Sequence, residues 1–143
     1  MSFNQEQDPL GLLLSRTYLA YKKKASHLLQ DYNITPEQFG VLNNLVVHVG
    51  ISQKALAELF SKDQTSIGKT IDRLENKKLI TRTVDPADRR AVLLHLTAQG
   101  QALIATTQPI MKEVDDEINS LFPPEQVKQF IATINQLFDH LSR

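Results

Sequence analysis

The chain has 143 residues, of which 41% are apolar and 22% charged, with no cysteine and no tryptophan. That length suffices for one domain with a buried core, and the missing thiols exclude disulfides, thiolate metal sites and thiol redox sensing. The formal net charge is zero, no run nears the ~18 apolar residues of a membrane helix, and Met1 to Pro9 lacks a secretory pattern, so a cytoplasmic protein without membrane contact is expected.

From Leu10 to Tyr32 apolar residues recur at three- and four-residue steps, which predicts a long first helix, broken at Asn33-Ile34. Thr35, Pro36 and Gln38 then form a capping-box start for a second helix. That helix is expected to bury Phe39, Leu42, Leu45 and Val46 and to end near Gly50. Ser52 caps a short third helix with Leu56, Leu59 and Phe60, and Asp63 caps a fourth running to about Lys77. Two short helices joined by three polar residues, Ser61-Lys62-Asp63, have the layout of a helix-turn-helix.

The period then changes. Leu79 to Val84 and Ala91 to Leu96 are β-rich runs around the turn-forming Asp85-Pro86-Ala87-Asp88-Arg89-Arg90, which predicts a two-stranded wing. Thr97 caps a fifth helix to about Leu121, in which Pro109 should introduce a kink or a break. Pro123-Pro124 opens the sixth, whose Val127, Phe130, Ile131, Ile134, Leu137, Phe138 and Leu141 form a stripe that needs a partner surface. The expected fold is mainly α with a small β-hairpin: six helices and a two-stranded wing. Residues 34–97 form the winged helix-turn-helix domain, and 8–33 and 98–143 a helical dimerisation region.

The charge is unevenly spread. Residues 61–97 hold eight basic and five acidic side chains, a net of +3, whereas 98–143 carry a net of −3. A phosphate-facing surface is therefore compatible with overall neutrality. On a wheel of the fourth helix, Ile67, Ile71 and Leu74 face the core. Ser66, Lys69, Thr70, Arg73 and Lys77 fall opposite them, with Gln64 and Thr65 in the first turn. Hydroxyls and amides near a helix start, followed by cations, suit base edges and phosphates in a major groove. Gly68 in the middle of this helix marks close approach of its neighbour. At the wing tip, Arg89 and Arg90 are placed to enter a minor groove, with Asp88 to orient a guanidinium or to form only an exposed ion pair.

Three stretches carry a family resemblance: Ser52-Gln-Lys-Ala-Leu-Ala-Glu-Leu, Arg73-Leu-Glu-Asn-Lys-Lys-Leu-Ile, and Asp85-Pro-Ala-Asp-Arg-Arg-Ala-Val-Leu-Leu-His-Leu-Thr-Ala-Gln-Gly. The chain resembles the MarR (multiple antibiotic resistance regulator) family from about Leu10 to Leu141, most specifically in Asp-x-Arg-Arg followed by Leu-Thr-x-x-Gly. The resemblance implies a triangular homodimer and a repressor of transcription on a pseudo-palindromic operator in double-stranded DNA. It assigns DNA contact to Gln64, Thr65, Ser66, Lys69, Thr70 and Arg73 on the recognition helix, and to Asp88, Arg89 and Arg90 on the wing. It also implies a small aromatic or anionic effector, for which Tyr18, Tyr21, His48 and Met111 are the candidate lining residues. Lys78 departs from the family, which has a glycine before the position of Leu79 as a left-handed helix terminus.

Rival readings have less behind them. His27, His48, His95 and His140 are scattered without a nucleophile, and adjacent Asp115-Asp116-Glu117 diverge around a helix, so no enzyme, cofactor or metal is expected. A protein-binding winged helix would show apolar residues where Ser66, Thr70 and Arg73 stand.

Overall fold

The computed structural model describes Gln7 and residues 9–143; the other residues of the polar N-terminal stretch read above, and the first residue of the 8–33 segment, lie outside it. In chain order the elements are α1 (Leu10–Leu29), a 3-10 turn (Gln30–Tyr32), α2 (Pro36–Val47), α3 (Gln53–Leu59), α4 (Gln64–Asn76), β1 (Ile80–Val84), β2 (Val92–Leu96), α5 (Ala98–Ser120) and α6 (Pro124–Leu141). They divide into two compact units, one ending at Gln108 and one covering Pro109–Arg143. No helix among the described residues is long and apolar enough to cross a membrane.

In the first unit, helix ends are set by local chemistry. The tail of the expected first helix tightens into the 3-10 turn, and Asn33 at φ 56° stops it, a conformation asparagine tolerates. The capping box of α2 is complete: Thr35 Oγ1 accepts from the Gln38 amide at 3.1 Å, and the Gln38 side chain accepts from the Thr35 amide at 3.2 Å. The buried face of α2 is Gln38, Val41, Leu42 and Leu45, so Val46 is exposed and Phe39 only half-buried, contrary to expectation. Positions 38, 41, 42 and 45 make one i, i+3, i+4, i+7 stripe, and Gln38 joins it because its side-chain oxygen is satisfied. α2 stops at Val47, ahead of Gly50, which takes a φ of 71° in the following turn.

Helices α3 and α4 each begin on a side-chain cap and end in a Schellman motif. Ser52 Oγ accepts from the Ala55 amide at 3.1 Å, and Asp63 Oδ1 from the Ser66 amide at 2.7 Å. Behind α3, the Lys62 amide bonds Ala57 O and the Ser61 amide bonds Glu58 O, with Ser61 at φ 51°. Behind α4, Leu79 bonds Leu74 O and Lys78 bonds Glu75 O, with Lys78 at φ 62°. The turn at Lys78 is therefore left-handed although it lacks glycine, a strain of ~1 kcal/mol. Gly68 lies against α3 as expected: a Cβ there would sit 3.3 Å from Gln53 Nε2.

β1 and β2 pair antiparallel from Ile80↔Leu96 to Val84↔Val92. Leu94 donates its amide to Ile51 O at 2.9 Å, and Ser52 bridges Leu93, so the wing is laced to the start of α3. Thr97 then ties α5 to the end of α4. Its amide donates to Leu79 O at 3.0 Å, its hydroxyl to Lys78 O at 2.7 Å, and it accepts from the Gly100 amide at 3.0 Å. A Cβ at Gly100 would lie 2.0 Å from Leu79 O, so only glycine fits. Leu29, Leu42, Leu56, Ile67, Ile71, Leu74, Ile80 and Leu94 are the large side chains at the centre of the core.

Helix α5 crosses from one unit to the other and continues through Pro109, which therefore does not interrupt it. Pro109 and Ala105, whose carbonyl loses its amide partner, both lie in solvent-exposed positions, where water can replace the bond. In the second unit α6 has no buried residue. Phe130, Ile131, Ile134, Phe138 and Leu141 are all exposed.

Candidate nucleic-acid interface

The outward face of α4 rests on two features. Ile67, Ile71 and Leu74 anchor the helix in the core, and Asp63 stops it from fraying at its start. The Ser66 amide holds the Asp63 carboxyl below its ordinary range, with the Thr65 amide and the Lys69 ammonium acting in the same direction. Gln64, Thr65, Ser66, Lys69 and Arg73 are exposed. Their face carries amide, hydroxyl and cationic groups and no large apolar side chain.

Thr70 does not join them. It is 5% exposed, and its hydroxyl lies 3.5 Å from Ser66 O within the helix. Positions 67, 70, 71 and 74 form the i, i+3, i+4, i+7 stripe that the core covers, so Thr70 belongs to the edge of the buried face. Lys77 also leaves the expected outward set. It caps α4, and its ammonium donates to Asn33 O at 2.5 Å and to Gln38 Oε1 at 3.0 Å.

The wing turn is held by backbone and carboxylate hydrogen bonds. Asp85 Oδ1 accepts from the Ala87 amide at 2.9 Å, and Asp88 Oδ1 from the Arg90 amide at 3.0 Å. Main-chain bonds from Asp88 to Asp85 O and from Ala91 to Asp88 O close the loop. Asp88 thus shapes the backbone under Arg90 and leaves both guanidinium groups alone. Arg89 and Arg90 are exposed, and among the described residues neither forms an ion pair.

One residue of this region was not singled out from sequence. Arg82 of β1 reaches α4, where its guanidinium meets Asp72 and Glu75 at 2.6 and 3.2 Å and the Gly68 carbonyl at 3.3 Å. No local pattern marks an arginine on a strand as the partner of two acids on the preceding helix; a net-charge count conceals it.

The four candidate effector residues fall in both units, Tyr18, Tyr21 and His48 in the first and Met111 in the second. Tyr18 and His48 are exposed and Tyr21 is half-buried, while Met111 is buried in the second unit. A cavity of about 610 Å³ is lined instead by Tyr32, Asn33, Lys77, Leu79, Leu103 and Thr106 among others, and one of about 250 Å³ by Leu45, Val49, His95 and Gln101 among others. Neither includes Tyr18, Tyr21 or His48.

Comparison with known proteins fits this geometry. A family model described as MarR family matches residues 32–91, from the α1–α2 turn to the end of the wing loop. A protein of Thauera aromatica described as a transcriptional regulatory protein for the hcr operon is 37% identical over 109 residues, covering 75% of this chain and 66% of its own length. The chain belongs to the MarR family. Transcriptional regulator HosA of Escherichia coli O111:H- is 28% identical over 126 residues, 88% of this chain and 92% of its own. Among solved structures, the S. aureus MepR–DNA complex is 26% identical with a TM-score of 0.88, over 94% of this chain and 99% of that one. For this MarR-family chain the Leu-Thr-x-x-Gly signature now has a structural meaning: Leu96 pairs with Ile80, Thr97 caps α5, and Gly100 lets that helix approach Leu79.

Proposed function

We propose that the chain is a homodimeric transcription repressor that binds a pseudo-palindromic operator in double-stranded DNA. In this reading Gln64, Thr65, Ser66, Lys69 and Arg73 of α4 enter a major groove, and Arg89 and Arg90 reach an adjacent minor groove over the turn that Asp88 shapes. The observation that carries it is the pairing of an exposed polar and cationic helix face with two exposed wing arginines in a MarR-family chain. Its similarity to MepR, solved with DNA, supports the same reading. The bare apolar stripe of α6 and the exposed Leu10, Leu14 and Leu19 of α1 support a second copy as partner. Two-fold symmetry then places the half-sites about one helical turn apart, roughly 10 bp.

Release by a small aromatic or anionic effector belongs to the same proposal. Beside Tyr18, Tyr21, His48 and Met111, the 610 Å³ cavity is a further candidate site for it, because it joins Lys77 with the apolar Leu79 and Leu103. Aromatic acids screened for release of bound operator should include at least one that acts, and Lys77→Met should abolish its effect. Release unaffected by that substitution would move the effector elsewhere.

The deciding experiment titrates the purified protein against its own upstream DNA and against a scrambled duplex, each at two salt concentrations. Salt-sensitive binding with clear preference for the upstream fragment, at two chains per site, is expected. Equal, weak binding to both duplexes would overturn the reading for that fragment and favour a winged helix directed at protein partners.

A further inference from the structure

Arg82 connects two parts that the proposed DNA reading needs to hold in register. On a wheel of α4, Gly68, Asp72 and Glu75 lie on one flank, beside the outward face of Thr65, Ser66, Lys69 and Arg73 and apart from the core stripe. Arg82 contacts all three positions, nearly two turns of the helix, from the first strand of the wing. One guanidinium nitrogen lies 2.6 Å from Asp72 Oδ1 and 3.2 Å from Glu75 Oε1, and the other donates to Gly68 O at 3.3 Å. The arginine side chain is only 24% exposed, so the planar fork is committed to the helix and not to an incoming phosphate.

An isolated surface ion pair would matter little. This contact differs in its geometry: three acceptors spread along a helix resist rotation of that helix about its own axis. Rotating α4 would turn its base-facing side chains relative to the wing. We propose that Arg82 is a positioning residue that locks the rotation of α4 against the wing, so that both DNA-contacting groups meet their grooves together; the inference rests on the regulator reading above. It has a consequence that charge alone would not produce. Asp72 and Glu75 stand beside the cationic face, so neutralising them should strengthen DNA binding if only electrostatics counted. If they serve as the anchor for Arg82, neutralising them weakens it.

The test uses the full chain with Arg82→Gln, Arg82→Lys and the double change Asp72→Asn/Glu75→Gln, titrated against operator and scrambled DNA at two salt concentrations. Amide exchange of the free proteins is followed in parallel. Arg82→Gln and the double variant should each lose about tenfold in operator affinity at unchanged salt slope, with reduced preference over the scrambled duplex, and Arg82→Lys should recover little of it. Exchange should quicken in β1–β2 and α4 while α1 and α2 keep their protection. Tighter operator binding by the double variant would overturn the proposal, as would a salt slope lower by about one in Arg82→Gln, the mark of a lost phosphate contact. Unchanged exchange in Arg82→Gln sinks the clamp alone. Wild-type protein without operator preference would sink the regulator reading itself.

Discussion

Helices α4 and α6 carry apolar stripes of similar regularity, yet they end in opposite environments. Ile67, Ile71 and Leu74 of α4 are fully buried, whereas Phe130, Ile131, Ile134 and Phe138 of α6 are exposed. The difference lies in where the covering surface comes from. α4 packs on α2, α3 and β1 of its own chain, elements that arrive within a few dozen residues and are held by caps and Schellman turns. α6 has a stripe without an equivalent cover in a single copy, and a bare stripe of phenylalanines and isoleucines is a large unfavourable exposure. A periodic pattern therefore states that a face will be covered, and says nothing about whose surface will cover it.

The largest test of this contrast is Phe138→Glu. In a two-fold interface the substitution is felt twice, and a charge replaces apolar burial, so the dimer dissociation constant should rise by roughly 100-fold or more in sedimentation experiments. A variant that remains as dimeric as wild type would remove α6 from the interface. Next comes Gly100→Ala, which should destabilise the fold by about 3 kcal/mol in urea unfolding, because the new methyl group collides with the Leu79 carbonyl and not with a movable side chain. A loss well below 1 kcal/mol would show that α5 can slide from the end of α4 without harm.

Two smaller effects sharpen the contrast from the α4 side. Lys78→Gly should raise stability by up to ~1 kcal/mol, since glycine adopts the left-handed Schellman position without a Cβ penalty, offset in part by its freer unfolded chain. The last concerns pH. Asp63 has a folded-state value held below 3.8, so its contribution is fully present above that value and is lost as pH falls through the depressed one. Asp63→Asn keeps an oxygen acceptor without the titration. Its melting temperature should accordingly fall less than that of wild type as the pH drops below about 3.8. Equal acid sensitivity in the two proteins would assign the loss to other carboxylates.

Local chemistry by itself determined most of the architecture. Thr35, Ser52, Asp63 and Thr97 start helices because a short oxygen-bearing side chain can satisfy free amides of a first turn, and that information lies within three residues of each cap. The strands and the Asp-rich wing turn were legible for the same reason, as was the outward placement of Gln64, Thr65, Ser66, Lys69 and Arg73. Tertiary packing decided the rest. It took Thr70 into the covered face, turned α2 so that Gln38 and Val41 are buried where Phe39 and Val46 were expected, and drew Lys77 to the Asn33 carbonyl. It also brought Arg82 to three acceptors on α4. A wheel divides a helix into faces but does not say how wide the neighbours' contact is, and residues at the boundary go to whichever surface arrives. Contacts between residues that are distant in sequence depend on how the elements dock, which no window of local pattern contains.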